Sequence, residues 1–79
     1  MRLDKFLKIS RIIKRRSVAN DACDAGRVSL NGKTAKAGAD VKAGDVIEIQ
    51  FGDKLSKYEI LQVKDVVRKD EAALMYKMF

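Results

Sequence analysis

The chain has no histidine, no proline and no tryptophan, and only one cysteine. Each absence removes a class of chemistry. Without histidine there is no imidazole base, no Ser-His-Asp triad and no His-ligated metal. A single cysteine, Cys23, excludes an internal disulfide and any multi-cysteine zinc site. No apolar run is long enough for a secretory signal or a membrane span of roughly 20 residues, because charges recur every few positions. The default compartment is the reducing cytoplasm, where an unpaired cysteine is ordinary. No low-complexity stretch or internal repeat divides the chain. Its 79 residues make one small domain, expected over 1–79, with a thin core. At 47% hydrophobic and 35% charged, the composition is that of a globular domain rather than a disordered tail.

Acidic residues are also scarce, in one region only. Up to Arg16 there are seven bases, Arg2, Lys5, Lys8, Arg11, Lys14, Arg15 and Arg16, opposed by Asp4 alone. From Ser17 to Phe79 ten basic and ten acidic residues cancel. The whole net charge of +6 therefore sits in the first fifth of the chain. Such an asymmetry marks a docking surface for a polyanion.

The periodicity predicts an α+β fold with a helical front, a β-rich middle and a short C-terminal helix. Leu3, Phe6 and Leu7 follow helical spacing, and Ile9, Ile12 and Ile13 continue the apolar content. Basic residues at every third position would spread over several faces of one straight helix. A break near Ser10 to Lys14 would regroup them. Ser17 is read as the N-cap of a second helix, with Asp21 in its early turns and Val18, Ala22 and Ala25 as its packing stripe. Gly26 is placed to end that helix in the left-handed conformation. Val28 and Leu30 then begin a hairpin turned at Asn31-Gly32, with a return strand over Lys33 to Lys36. Gly38 to Gly44 reads as an irregular connection. Ile47, Ile49 and Phe51 alternate with Val46, Glu48 and Gln50 as a half-buried strand. Gly52-Asp53 turns the chain into a last strand near Leu55 to Val63, whose mixed apolar phase calls for a bulge or cover on both faces. Asp70 is read as the cap of a tail helix carrying Leu74, Met75, Met78 and Phe79.

Catalysis has little support in these residues. The carboxylates are scattered, the glycines are spaced as turns, and no phosphate loop is present. Cys23 lies beside Ala22 inside the second helix and reads as a small core residue rather than a nucleophile. Neither cofactor nor metal is expected. The basic cluster has a better physical case. Lys14, Arg15 and Arg16 lie just before a helix start, where open N–H groups and the helix dipole favour a phosphate. Arginine adds a planar fork that grips phosphate. Lys5, Lys8 and Arg11 from the front, and Arg27 and Lys33 from the hairpin, would widen the patch. Asp4 has two readings: an acid that orients Arg2 or Arg16, or a plain first-turn acid favoured by the dipole. Phe6 and Phe51 sit in apolar phase as core residues, so no aromatic platform for stacking single-stranded bases is present. That favours folded, duplex-containing RNA recognised through backbone and shape.

These residues also form a recognisable series. Arg2-Leu3-Asp4-Lys5-Phe6-Leu7-Lys8, then Ser10-Arg11, Lys14-Arg15-Arg16-Ser17, Gly26-Arg27-Val28, Asn31-Gly32-Lys33 and Val41-Lys42-Ala43-Gly44-Asp45 resemble the RNA-binding domain named after small-subunit ribosomal protein S-four. The resemblance covers about residues 1 to 51, with residues 52 to 79 as a C-terminal strand and tail helix. It implies two helices on a small twisted, mainly antiparallel sheet, with helices and first hairpin forming the RNA surface. Among stand-alone members, the opening run, the Lys14 to Ser17 block and Ala72 to Tyr76 resemble a bacterial ribosome-associated quality-control group, related to heat-shock protein fifteen. The resemblance implies a factor bound to large ribosomal subunits that retain a stalled peptidyl-tRNA. It would touch large-subunit rRNA and tRNA beside a partner factor that delivers alanyl-tRNA for C-terminal tailing. Arg2 and Arg16 would be the critical contacts, with Lys14, Arg15 and Ser17 beside them. Ending at Phe79, the chain has no long basic extension of the heat-shock type, which favours the quality-control group. A monomer that binds no membrane is expected.

Three other readings compete. A heat-shock-protein-fifteen-like recycling factor would share the RNA surface. A DNA-binding protein would need the second helix for base reading, yet Asn20, Asp21 and Asp24 suit that poorly. A membrane-surface helix would leave Asn31-Gly32-Lys33 and the strands without a role.

Overall fold

A computed structural model describes all residues, 1–79. Helix α1 spans Leu3–Ile9 and helix α2 spans Arg16–Asp24. Leu3, Phe6 and Leu7 are fully buried, so the apolar face read from their spacing is the face that packs. The break between the helices falls where charge spacing required it. Ser10 closes α1 and Arg11 turns the chain with φ +63.

Helix α2 differs from expectation at its start and on its buried face. Arg15, not Ser17, is its N-cap residue, and no side chain caps it. Its buried residues are Ala19 and Cys23, one position round from the expected Val18, Ala22 and Ala25. Val18 is half exposed. The small side chains at Ala19 and Cys23 let α2 approach α1 closely, and the face with Arg16 and Asn20 turns toward Asp4 instead. Gly26, at φ +74, ends the helix as anticipated.

Five strands form one antiparallel sheet in the order β2-β1-β3-β4-β5. They are β1 Val28–Leu30, β2 Lys33–Thr34, β3 Val46–Phe51, β4 Lys54–Ile60 and β5 Tyr76–Met78. Asn31 at φ 52 and Gly32 at φ 85 make the two-residue turn between β1 and β2. The return strand is shorter than expected and stops at Thr34. In β3, Ile47 and Ile49 are buried, but Phe51 is 46% exposed, so it leaves the expected core. It keeps the same phase, yet it sits at the hairpin end opposite Lys54, past the helical cover. In β4, Tyr58 and Ile60 are buried and the strand ends at Ile60, which removes the need for a bulge.

The tail is the largest departure. A single 3-10 turn, Ala72–Leu74, replaces the expected tail helix, and the following residues pair with β4 as β5. A helix that short is marginal on its own, whereas the β4 edge offers a row of unpaired N–H and C=O groups. Pairing satisfies them, brings Tyr58 and Tyr76 edge to face at 5.4 Å, and buries Met75. Leu74, Met78 and Phe79 stay exposed. The connection over 35–45 does more than span. Leu3 N–H donates to Ala39 O at 2.8 Å, Asp4 N–H to Ala37 O at 3.1 Å, and Val41 N–H to Met1 O at 2.9 Å. Residues 1–4 are thereby laid along this segment, which fixes where Arg2 stands.

Candidate nucleic-acid interface

Asp4 is in the first turn of α1, where a negative charge suits the helix dipole. Its carboxylate is only 2% exposed, yet it is surrounded by donors. Arg2 Nε donates to Oδ1 at 3.1 Å and Arg2 Nη2 to Oδ2 at 3.4 Å. Arg16 Nε donates to Oδ2 at 3.3 Å, Asn20 Nδ2 to Oδ2 at 3.4 Å, and the Lys5 N–H to Oδ1 at 2.8 Å. Burial pushes the Asp4 pKa up, but the hydrogen bonds from Arg2, Arg16, Asn20 and Lys5 outweigh it and hold the carboxyl below its ordinary value. The acid is therefore a charged anchor shared by two arginines from two different elements. Of its two readings, the orienting one holds, and for both arginines at once.

Arg2 and Arg16 keep 55% and 49% of their side-chain surface exposed. Each gives its Nε to Asp4 and Arg2 gives Nη2 as well, which leaves Nη1 of Arg2 and both terminal nitrogens of Arg16 for a ligand. Arg2 also lies over Gly38, where an added Cβ would meet its Nη2 at 3.8 Å. A guanidinium held at one edge has lost much of its rotamer freedom before it binds, which lowers the entropic cost of gripping a phosphate. Beside Arg16, the uncapped first turn of α2 presents Ser17 and open N–H groups, with Arg15 exposed at the N-cap.

The remaining cations sort into three places. Lys8, Arg11 and Lys14 line one cleft. Lys5 is turned to Asp65, with Nζ at 3.3 Å from Oδ1, so it is already paired. Arg27 and Lys33 are exposed but stand apart. Arg27 lines a mostly apolar groove with Asp21, Val18 and Phe51, and Lys33 lies on the outermost strand. Two residues of the arrangement escaped the sequence reading. Asn20 was one of the polar residues of α2 without an assigned role; its position four residues after Arg16 puts both on one helix face. Asp45 is buried, accepting from Asn31 Nδ2 at 3.0 Å and from the Lys42 N–H at 2.9 Å, and so ties the β1–β2 turn to the 42–45 loop.

The S4 domain family matches residues 1–47. An "RQC P-site tRNA stabilizing factor" of Halalkalibacterium halodurans is 55% identical over 78 residues, covering 99% of this chain and 89% of that protein. One of the same name from Bacillus subtilis is 54% identical over 76 residues, covering 96% and 88%. Among solved structures, heat shock protein 15 of Vibrio cholerae, described as trimeric, superposes with a TM-score of 0.90 at 32% identity, covering 100% of this chain and 81% of that one. The matched family segment contains Arg2, Asp4, Arg16 and Asn20, the residues that build the anchor. The chain belongs to the S4 domain family and, within it, to the group formed by the RQC P-site tRNA stabilizing factors.

Proposed function

We propose that this protein is a non-catalytic RNA-binding factor of ribosome-associated quality control. It binds large ribosomal subunits that carry a stalled peptidyl-tRNA and contacts both large-subunit rRNA and the tRNA. By tying the two RNAs together it lowers the mobility of the tRNA while a partner factor brings alanyl-tRNA for C-terminal tailing. The relatives named for P-site tRNA stabilisation support this reading. The observation that carries it is the Asp4 anchor, which holds Arg2 through Nε and Nη2 and Arg16 through Nε, with Nη1 of Arg2 and both terminal nitrogens of Arg16 left over. Positioning needs no reactive group, only several charge-assisted hydrogen bonds held in register, each contributing about 1.5–3 kcal/mol when well formed. In this reading the factor works in the cytoplasm as a monomer.

Co-sedimentation with large subunits in a sucrose gradient tests the surface. Wild type travels with the subunit, whereas Arg16→Ala and Arg2→Ala each lose most of that fraction. If both variants stay bound as wild type does, the contact surface lies elsewhere. A second reading, recycling of stalled subunits in the manner of heat-shock protein fifteen, draws on the TM-score of 0.90. Tail length on stalled chains separates the two. Loss of the protein shortens tails under the first reading and leaves them unchanged under the second.

A further inference from the structure

Lys8, Arg11 and Lys14 make no ion pair with any acid of the chain. They converge on a cleft of about 200 Å³ whose other walls are Ile9 and Val67. No carboxylate lines it, so every charged side chain on its walls is a cation. The turn that shapes it is held at both ends. Ser10 is buried with Oγ donating to Leu7 O at 3.3 Å, and Ile13 is buried with its N–H donating to Leu7 O at 3.0 Å. Between them Arg11 occupies the left-handed region at φ +63. That conformation costs a non-glycine residue about 1 kcal/mol or more, and it persists where neighbours over-determine it. As the residue after the α1 C-cap, Arg11 ends the helix in this conformation, and the turn sets its unpaired cation in one cleft with two more, an arrangement that attracts an anion.

The size of the cleft narrows the ligand. Pockets for drug-sized molecules run to about 300–1,000 Å³, so this one suits a single phosphate with part of its sugar. The wall residue Val67 lies beyond the family-matched segment, and the nearby Lys5–Asp65 pair ties its loop to α1. We infer that the cleft clamps one phosphodiester group of the bound RNA, shared by Lys8, Arg11 and Lys14, with the C-terminal loop forming its apolar wall at Val67. The inference rests on the RNA-binding reading above and assigns the segment after the family motif a place in the RNA site.

Salt dependence separates one shared phosphate from three separate contacts. Each neutralised phosphate contributes about 0.7–0.9 to the slope of log affinity against log salt. Fluorescence anisotropy with a folded tRNA transcript supplies that slope. The triple variant Lys8→Gln, Arg11→Asn, Lys14→Gln removes three charges, and asparagine keeps the left-handed turn accessible. The expected fall in slope is that of one phosphate. Val67→Glu, which adds a carboxylate to the wall, gives a matching fall. Lys77→Gln on β5 removes a charge elsewhere and leaves the slope unchanged. Circular dichroism confirms that each variant is folded. A fall two to three times larger in the triple variant, or no fall, overturns the shared clamp. An unaffected Val67→Glu overturns the role of the loop. If wild type itself binds neither transcript nor subunits, the RNA-binding reading fails as a whole, an outcome distinct from a wild type that binds with an unaltered triple-variant slope.

Discussion

Asp4 shows how one buried carboxylate can organise a basic surface. Its hydrogen bonds outweigh its burial, so its folded pKa lies below the ordinary value of 3.8. The sign follows: the stabilisation is present above about pH 4 and is lost as pH falls through the lower, folded value. Asp4→Asn is expected to cost about 1–3 kcal/mol at neutral pH, because two arginines and Asn20 lose a charged acceptor. Thermal melts should show the gap to wild type closing in acid below about pH 4. Subunit binding should fall with it, since Arg2 and Arg16 lose their shared anchor. Asp4 is conspicuous in the sequence as the lone acid among seven bases, with Arg2 or Arg16 as its expected partner; that both arginines share it, together with Asn20, is not legible there. Asn20 is sixteen residues away and reaches Asp4 only because α2 packs on α1. Cys23 is a second buried titratable group. Burial, then the Asp4 and Asp24 carboxylates, push its thiol up to about 11. The native thiol should react with a disulfide reagent at pH 8 more than a hundredfold (about 200-fold) more slowly than the unfolded one, whose pKa is about 8.5. Equal rates with and without denaturant would mean that Cys23 is not held in the core.

At the scale of elements, local signals succeeded where the backbone itself demanded a residue type. Gly26 and Asn31-Gly32 stand at positive φ, a conformation whose steric cost is local and readable in sequence. Gly26→Ala should therefore destabilise by about 1 kcal/mol, visible as a melting temperature lower by about 4–8 °C in a domain this size. A Cβ there would find ordinary space, its nearest contact being Thr34 Cγ2 at 4.0 Å, so any loss comes from backbone strain rather than a clash. Signals failed where two faces of one element were equally plausible. Helix α2 has Val18, Ala22 and Ala25 along one stripe and Ala19 and Cys23 along another, all small or apolar. Burial chose the second because that rotation also aims Arg16 and Asn20 at Asp4. The residues from Leu74 to Phe79 satisfy helical spacing loosely and strand alternation equally well, and the open edge of β4 decided for the strand.

For the molecule as a whole, the core joins both ends of the chain. Leu3, Phe6 and Leu7 of α1 share one cluster with Ile47, Ile49, Tyr58, Ile60 and Met75. Residues past the family-matched segment thus seal the core on which the two basic helices rest. Met75→Ala should cost about 2–5 kcal/mol through the cavity it leaves, a large share of the stability of so small a domain. A chain cut after Phe51 keeps all the bases of the first sixteen residues but loses β4 and β5. It should show no cooperative unfolding transition by circular dichroism. A sharp transition in that fragment would mean that the first half folds without the C-terminal strands.

Residue pattern along the chain is enough for the two helices, the first four strands, the turns, the concentration of charge in the first sixteen residues and the family, but not for β5, where it points to a helix. These depend on spacing, on steric rules for single residues and on counting, all of which act along the chain. Packing in three dimensions was needed to group the bases. It divided seven cations into a pair anchored on Asp4, a group of three around one cleft, and others that are paired or stand alone. That division depends on contacts between residues 12, 16 and 60 positions apart. Coulomb attraction and burial reward those contacts only after packing has brought the partners within a few ångströms.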